Sequence, residues 1–197
     1  MINKLIKLIF LDANSIKLDN KRDQKMLLIL VFFIRFILSA IPLYFVMGYF
    51  NFYDIQLIQA KQVFSLMNPN ESYLDEGKDI NLPLISTFGW KQPFAIDAAC
   101  TGYRSFLALF GLIIATPNYK KKYKLLGIIL SIPILWFVNI FRIYFTIMLT
   151  VSTQKFDLIH GIFWRWGLTL FIVTYWFTWF LIFKIRNKYK EKSVDTY

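Results

Sequence analysis

The sequence predicts an all-α fold, a polytopic transmembrane helix bundle of about four spans with an exterior loop or amphipathic segment. Of its 197 residues, 57% are apolar, and the mean hydropathy of +0.48 exceeds that of ordinary soluble domains. Four apolar stretches approach or exceed about 20 residues, the length that crosses roughly 30 Å of hydrocarbon. These predicted spans are residues 26–49, 94–116, 125–150 and 159–183.

The positive charges lie beside the predicted spans and indicate their orientation. The net charge is +11, and Lys/Arg groups precede the first span, separate the second from the third and follow the fourth. The positive-inside rule places all three groups in the cytoplasm. We therefore expect a multi-pass protein of the cell membrane with both termini cytoplasmic. Because the lysines accompany spans, the charge does not indicate nucleic-acid binding.

The segments outside the spans belong to the same single domain. Residues 1–25 are expected to be cytoplasmic or interfacial, and "INKLIKLIFL" favours an interfacial amphipathic helix over disorder. Residues 51–92 are expected outside the cell, and residues 184–197 form a cytoplasmic tail. In the exterior segment, "FYDIQLIQAKQVFSLM" predicts a helix on the membrane and "NPNESYLDEGKD" predicts turns. "INLPLISTFGWKQPF" then predicts a short edge strand or an extended lid.

Ionisable residues within the spans are the candidates for function. An arginine near the centre of a span costs about 2.5 to 3.5 kcal/mol and usually faces the bundle interior. The second span is expected to run inward from about residue 94 and the third to end outside near residue 150, which places Cys100 roughly 9 Å and Arg142 roughly 12 Å below the exterior surface. His160 opens the fourth span at the same side. The three side chains are therefore expected in one layer of the outer leaflet.

Helical spacing predicts a polar stripe on each of these three spans. Residues three or four positions apart share a helix face, and a bundle would turn such faces inward. The pairs are Cys100 with Arg104, Asn139 with Arg142, and Asp157 with His160.

These residue types favour nucleophilic acyl transfer. Cys100 would attack a carbonyl carbon as thiolate, with His160 as general base and Arg142 or Arg104 holding the thiolate or the oxyanion. Neighbouring cations lower the pKa of a thiol from about 8.5, whereas apolar surroundings raise it. A pKa well above 8.5 would favour an unreactive buried cysteine.

Each candidate also has a structural interpretation. A lone cysteine in an apolar segment is often a small hydrophobic residue, and Arg104 and Arg165 are expected to snorkel to headgroups. Asp157 is expected to cap a helix N-terminus. The sequence has no histidine pair, CxxC motif or carboxylate cluster, so we expect no metal, and we expect no cofactor.

The competing function is a non-enzymatic membrane assembly or docking protein. In that interpretation the intramembrane arginines bind lipid headgroups or a partner helix. A transporter is less favoured, because the four spans show no repeated halves.

The motifs "AACTGYRS", "VNIFR" and "FDLIHG", in this order, resemble the exosortase/archaeosortase family of membrane cysteine transpeptidases. The resemblance covers roughly residues 97–167. The family has an acidic residue three positions before a Cys-Ser/Thr-Gly motif, then Asn-x-x-Arg, then a histidine or arginine that begins a later helix. The matching residues are Asp97, Cys100, Thr101, Gly102, Asn139, Arg142 and His160.

The resemblance implies that Cys100 is the nucleophile, Arg142 stabilises the transition state and His160 is the base or leaving-group acid. It also implies secreted substrate proteins whose C-termini carry a short motif, a hydrophobic helix and a basic tail. Cleavage outside the cell would be coupled to transfer onto an acceptor, which in archaeal members is a membrane lipid. Arg104 departs from the family pattern, where uncharged residues are more usual.

Overall fold

The computed structural model describes residues 20–117 and 119–194, and it confirms the all-α transmembrane helix bundle. Helices dominate these residues, and a single short sheet accompanies them. The α-helices are α1 (Lys21–Met47), α2 (Tyr53–Ser65), α3 (Tyr103–Ala115), α4 (Lys121–Thr153), α5 (Phe156–Gly161) and α6 (Leu168–Val194). A π-helix, Ile162–Gly167, joins α5 to α6, and 3₁₀ helices form at Lys78–Ile80 and Ala98–Thr101.

Three helices in the described part of the chain are long and apolar enough to cross a membrane. They cover Arg22–Met47, Lys121–Thr153 and Phe156–Lys184, and they correspond to the first, third and fourth predicted spans. The second differs, because only the 13 residues of α3 are α-helical there. At 1.5 Å per residue α3 is about 20 Å long, short of the roughly 30 Å hydrocarbon core.

The chain divides into two compact units, the first of which contains the described residues of 1–48, 107–131 and 172–197. Glycines allow close packing of aromatic side chains in this unit, as small residues do between membrane helices. Gly127 lies directly against the indole of Trp179. The Trp179 Nε1 donates to the carbonyl of Tyr123 at 3.2 Å, and the Tyr175 hydroxyl donates to the carbonyl of Gly127 at 2.8 Å.

Gly127→Ala is expected to destabilise the first unit by about 1 to 3 kcal/mol, the usual cost of overpacking. The added Cβ would overlap the Trp179 ring, which its hydrogen bond to Tyr123 holds in place. Thermal unfolding in detergent, followed by tryptophan fluorescence, measures the effect. Gly161→Ala is the matched control, since its Cβ would meet no atom within 4 Å. Equal melting temperatures for the two variants would contradict this packing.

The second unit contains residues 49–106 and 132–171. Its antiparallel sheet has the order β1 (Ser72–Asp75), β2 (Leu84–Thr87), β3 (Phe94–Ala95). Leu84 pairs with Asp75 on one side and with Ala95 on the other. One core joins α2, the sheet and α4. Its buried members include Ala60, Val63, Met67, Ile85, Phe94, Ile96, Ile140, Ile143 and Ile147.

The segment predicted to lie outside the cell is only partly as expected. Its helix is confirmed as α2, whereas the predicted edge strand is two strands, of which β2 is central and β3 lies at an edge. β1 lies in the stretch where only turns were expected, because pairing with β2 stabilises it there. The predicted amphipathic helix near the N-terminus lies mostly in residues 1–19, outside the described residues.

Candidate active site

The second unit contains a cavity of about 260 Å³ that Cys100, Arg142 and His160 all line. Cys100 comes from the 3₁₀ turn Ala98–Thr101, Arg142 from α4 and His160 from α5. The three residues that the sequence predicted in one layer therefore meet at one cavity. The remaining wall is largely apolar and includes Trp90, Phe94, Ile96, Ile143, Ile147 and Phe156.

Cys100 lies in a tight turn that precedes α3. Asp97 is extended, and its carboxylate Oδ1 accepts a hydrogen bond from the Cys100 backbone N–H at 2.9 Å. Gly102 ends the turn at φ +78°. The predicted helix face shared by Cys100 and Arg104 is therefore wrong, since the helix begins only at Tyr103.

The structure does not place Arg104 at the cavity wall. Its side chain is exposed, and its Nε donates to the Tyr103 hydroxyl at 3.2 Å. The prediction that Arg104 stabilises the thiolate depended on a helix that includes both Cys100 and Arg104. Since the helix begins at Tyr103, the structure does not support this prediction. Two further intramembrane arginines also lie elsewhere: Arg35 is buried in α1, and Arg165 is exposed in the π-helix.

Two side chains of α4 hold the backbone of the cysteine turn. Asn139 Nδ2 donates to the carbonyl oxygen of Cys100 at 2.6 Å, and an Nη of Arg142 donates to the same oxygen at 3.2 Å. The residues are three positions apart, so one face of α4 presents both. Both side chains are buried, and buried hydrogen bonds of this kind fix the position of the turn.

Gln59 of α2 completes this hydrogen-bond network and was not predicted from the sequence. Its Nε2 donates to the carbonyl of Thr101 at 3.2 Å, and its Oε1 accepts from Asn139 at 3.2 Å. The Gln59 side chain is fully buried. Gln59 shares the buried face of α2 with Ala60 and Val63. A polar residue on the apolar face of a helix is the pattern in the sequence that could have indicated its role.

Gly102 is required by both conformation and space. A positive φ of 78° is a backbone conformation that favours glycine. A Cβ at this position would also lie 3.2 Å from the Asn139 side chain. The glycine therefore lets the cysteine turn approach the amide that holds it.

Arg142 lines the cavity, and its donor capacity is only partly used. The residue is only 8% exposed, and its Nη1 has no hydrogen-bond partner in the parts of the chain that are described. Leaving a buried donor unsatisfied costs about 1 to 3 kcal/mol or more when it is charged. An oxygen or an anion that reaches Nη1 would satisfy it.

His160 is positioned by aromatic stacking. Its ring stacks on Phe156 with centroids 5.0 Å apart and an angle of 11° between the planes, and Phe156 also contacts Phe94. Asp157 is exposed and lies within the first turn of α5, while the N-cap position is Lys155. The predicted capping role of Asp157 is therefore wrong.

The thiol of Cys100 is protonated at neutral pH. Burial, and after it the negative charge of Asp97, raise the pKa of this thiol to about 11, although the positive charge of Arg142 acts in the opposite direction. Such a pKa alone favours an unreactive cysteine. A role for Cys100 as nucleophile therefore depends on the groups around it, which are Arg142 and His160. Attack at neutral pH requires a base that removes the proton as the sulfur reacts.

Asp97→Asn is expected to lower the thiol pKa, because the amide removes the negative charge that disfavours the thiolate. Its oxygen can still accept the backbone hydrogen bond of the turn. Alkylation of Cys100 by iodoacetamide, measured across a pH series by mass spectrometry, reports the thiolate fraction. In the wild type the rate should rise about tenfold per pH unit and level off near pH 11. A plateau at the same pH in the variant would contradict this account.

Residues 22–180 match the family described as transmembrane exosortase. This range covers most of the chain and every residue that lines the cavity. The chain belongs to the transmembrane exosortase family. Its membership supports a membrane location and, in general terms, a transpeptidase-like role. Comparisons with curated proteins and with solved structures found no match.

Proposed function

We propose that this exosortase-family protein is a membrane-embedded cysteine transpeptidase that acts on secreted proteins. It cleaves their C-terminal sorting signal, a short motif followed by a hydrophobic helix and a basic tail, and transfers them to an acceptor, with membrane lipid as the candidate. The supporting observation is that Arg142 lines the same cavity as Cys100 and His160 and has a buried Nη1 with no hydrogen-bond partner among the described residues.

In the first step His160 takes the proton of Cys100 as the sulfur attacks the carbonyl carbon of the scissile peptide bond. A C–S bond forms, and the π electrons of the carbonyl move to its oxygen. Arg142 Nη1 donates to this oxyanion, which gains negative charge only in the transition state and intermediate. The C–N bond then breaks, and His160 gives its proton to the departing amine.

In the second step an acceptor hydroxyl or amine attacks the thioester. His160 takes the proton of the acceptor, the C–S bond breaks and the thiolate regains a proton. No electrons are transferred, so the cycle needs no redox cofactor. Because a thiol of raised pKa is a poorer leaving group, His160 must return its proton to the sulfur as the C–S bond breaks.

We further propose that the site faces outside the cell and that both termini are cytoplasmic, an orientation in which the short helix α3 crosses the membrane as the second of four segments. The Lys/Arg groups beside the long helices support this orientation by the positive-inside rule. A site on the outer side would meet its substrates after their export.

The test is co-expression with tagged secreted proteins that end in a motif, an apolar helix and a few basic residues. Cys100→Ala should reach the membrane in normal amount and leave the substrate uncleaved, which a gel mobility shift reports. Ser152→Ala, an exposed position near the end of α4, is the control and should process normally. Normal processing by the Cys100→Ala variant would overturn the proposal.

A further inference from the structure

We propose that strand β3 binds the substrate by strand addition, so that the peptide ahead of the scissile bond pairs with the outer edge of β3 and leads its carbonyl to Cys100. This inference rests on the proposed function and names how the same site recognises its substrate. The occupant is an extended peptide of the secreted protein.

The register of the sheet shows which backbone groups of β3 remain for such a peptide. Ile96 N–H donates to the carbonyl of Pro83 at 2.9 Å, and Ala95 pairs with Leu84 one position along. Hydrogen-bonded and non-hydrogen-bonded pairs alternate along an antiparallel ladder. Phe94 and Ile96 therefore direct their N–H groups to β2, and Ala95 directs its N–H and C=O to the outer edge.

That outer edge is open in the structure. Ala95 is exposed, and no hydrogen bond to its N–H or C=O occurs among residues 20–117 and 119–194. The neighbouring Phe94 and Ile96 are buried in the core, which holds β3 in place. An edge strand with unpaired backbone groups is a ready template for another strand.

The open edge is continuous with the catalytic cavity. Ala95 and Ile96 line the same cavity as Cys100, and the chain runs from β3 through Asp97 directly into the cysteine turn. In strand addition, main-chain hydrogen bonds supply affinity while pockets for alternate side chains supply specificity. The aromatic wall formed by Trp90 and Phe156 is suited to an apolar side chain of the peptide.

The size of the cavity agrees with a short peptide segment. At about 260 Å³ it is slightly smaller than the roughly 300 to 1,000 Å³ of common ligand pockets. It therefore takes one or two side chains, while the backbone of the peptide lies along β3. We expect the recognised motif to be extended and to place an apolar residue in the cavity.

The variant Ala95→Pro tests the edge, because proline removes the outward N–H and leaves the N–H groups that pair with β2. Ser72→Pro is the matched control at the opposite edge. Phe88 N–H donates to the carbonyl of Glu71, so Ser72 directs its own N–H away from β2. The control therefore removes an equivalent outward N–H from β1, the edge strand opposite β3.

The probe is a mixture of acetyl-tripeptidyl chloromethyl ketones, which alkylate Cys100 in the purified full chain. The rate of alkylation is measured by intact-protein mass spectrometry. Ala95→Pro should slow this alkylation at least about tenfold, the effect of losing backbone hydrogen bonds worth about 1.4 kcal/mol. Alkylation by the small reagent N-ethylmaleimide should be unchanged, and Ser72→Pro should change neither rate. An unchanged peptidyl rate in Ala95→Pro would overturn the inference.

A second comparison uses only the wild-type protein. The same probes with N-methylated peptide nitrogens should react at least about tenfold more slowly, since they cannot donate to the edge. Equal rates overturn strand addition even if Ala95→Pro fails to fold. A rate that falls as protein concentration rises would show a second copy on β3, and this also overturns the inference. Substrate processing that requires Cys100 but survives Ala95→Pro would refute strand addition alone and leave the proposed function standing.

Discussion

Arg142→Lys is expected to slow substrate processing by about 10² to 10³ fold, the usual cost of removing one donor to an oxyanion. The planar guanidinium holds the Cys100 carbonyl with one amino group, while the other, Nη1, has no partner among the described residues and is the proposed donor to the oxyanion. An ammonium group is compact and lacks this fork, so lysine cannot make both contacts in the same geometry. The rate of conversion of a tagged substrate, normalised to the amount of enzyme in the membrane, gives the effect.

Arg104→Lys is the matched control for this experiment. Arg104 is exposed and does not line the cavity, so the same exchange there should leave the rate within about twofold, the scale of a surface change of up to 0.5 kcal/mol. The competing function, a docking protein that uses its arginines as simple cations, predicts that Arg142→Lys retains activity. A normal rate for Arg142→Lys would therefore contradict the catalytic role of the guanidinium.

Gly102→Ala is expected to reduce processing by about 10² fold, a loss that a 1 Å misplacement of a catalytic group can cause. The alanine would have to adopt φ +78°, and its Cβ would press on the amide of Asn139. Asn139 holds the carbonyl of Cys100 and is itself held by Gln59, so the displacement reaches Cys100. Processing rates at equal membrane levels measure the loss.

The control for this prediction is Gly167→Ala, where the nearest atom to the new Cβ is 3.9 Å away. It should retain the wild-type rate. The melting temperature of both variants in detergent separates a displaced cysteine from general unfolding. A Gly102→Ala variant with full activity would show that the hydrogen bonds to the turn do not position the sulfur.

The long helices could be predicted from hydrophobic length alone, but the structure around Cys100 could not. Residues 94–116 form one apolar stretch, so composition predicts a single span. The structure divides it, because Phe94 and Ala95 pair with β2 and Gly102 interrupts the backbone before α3 begins. Strand pairing is a tertiary contact, and an apolar run is compatible with either outcome.

The meeting of Cys100, Arg142 and His160 was predicted from their depths, although the helix assumed for Cys100 does not exist. The prediction succeeded in outline because Cys100 and His160 lie close to the start of their helical segments, at the depth that Arg142 has along the continuous helix α4. Helical spacing was correct for Asn139 and Arg142, which α4 presents on one face, and it failed for Cys100 with Arg104, where the helix begins only at Tyr103. Spacing identifies a shared face only where the helix is present at both positions.

Gln59 shows what local sequence patterns leave out. The sequence around a glutamine in an amphipathic helix does not indicate which residue it contacts, and the contact of Gln59 lies 42 positions later in the chain. Its role becomes visible only when α2, the cysteine turn and α4 are in place together. The same holds for the open edge of β3, which depends on a two-residue strand and its register.

The most direct test of the central claim is the capture of an acyl group on Cys100. Purified protein is mixed with a cleavable substrate in the absence of acceptor, quenched in acid and digested, and the peptide that contains Cys100 is weighed by mass spectrometry. We predict a substrate-derived adduct on that peptide which hydroxylamine removes, as expected of a thioester. Substrate cleavage at an undiminished rate while the Cys100 peptide stays unmodified at every time point would contradict the account.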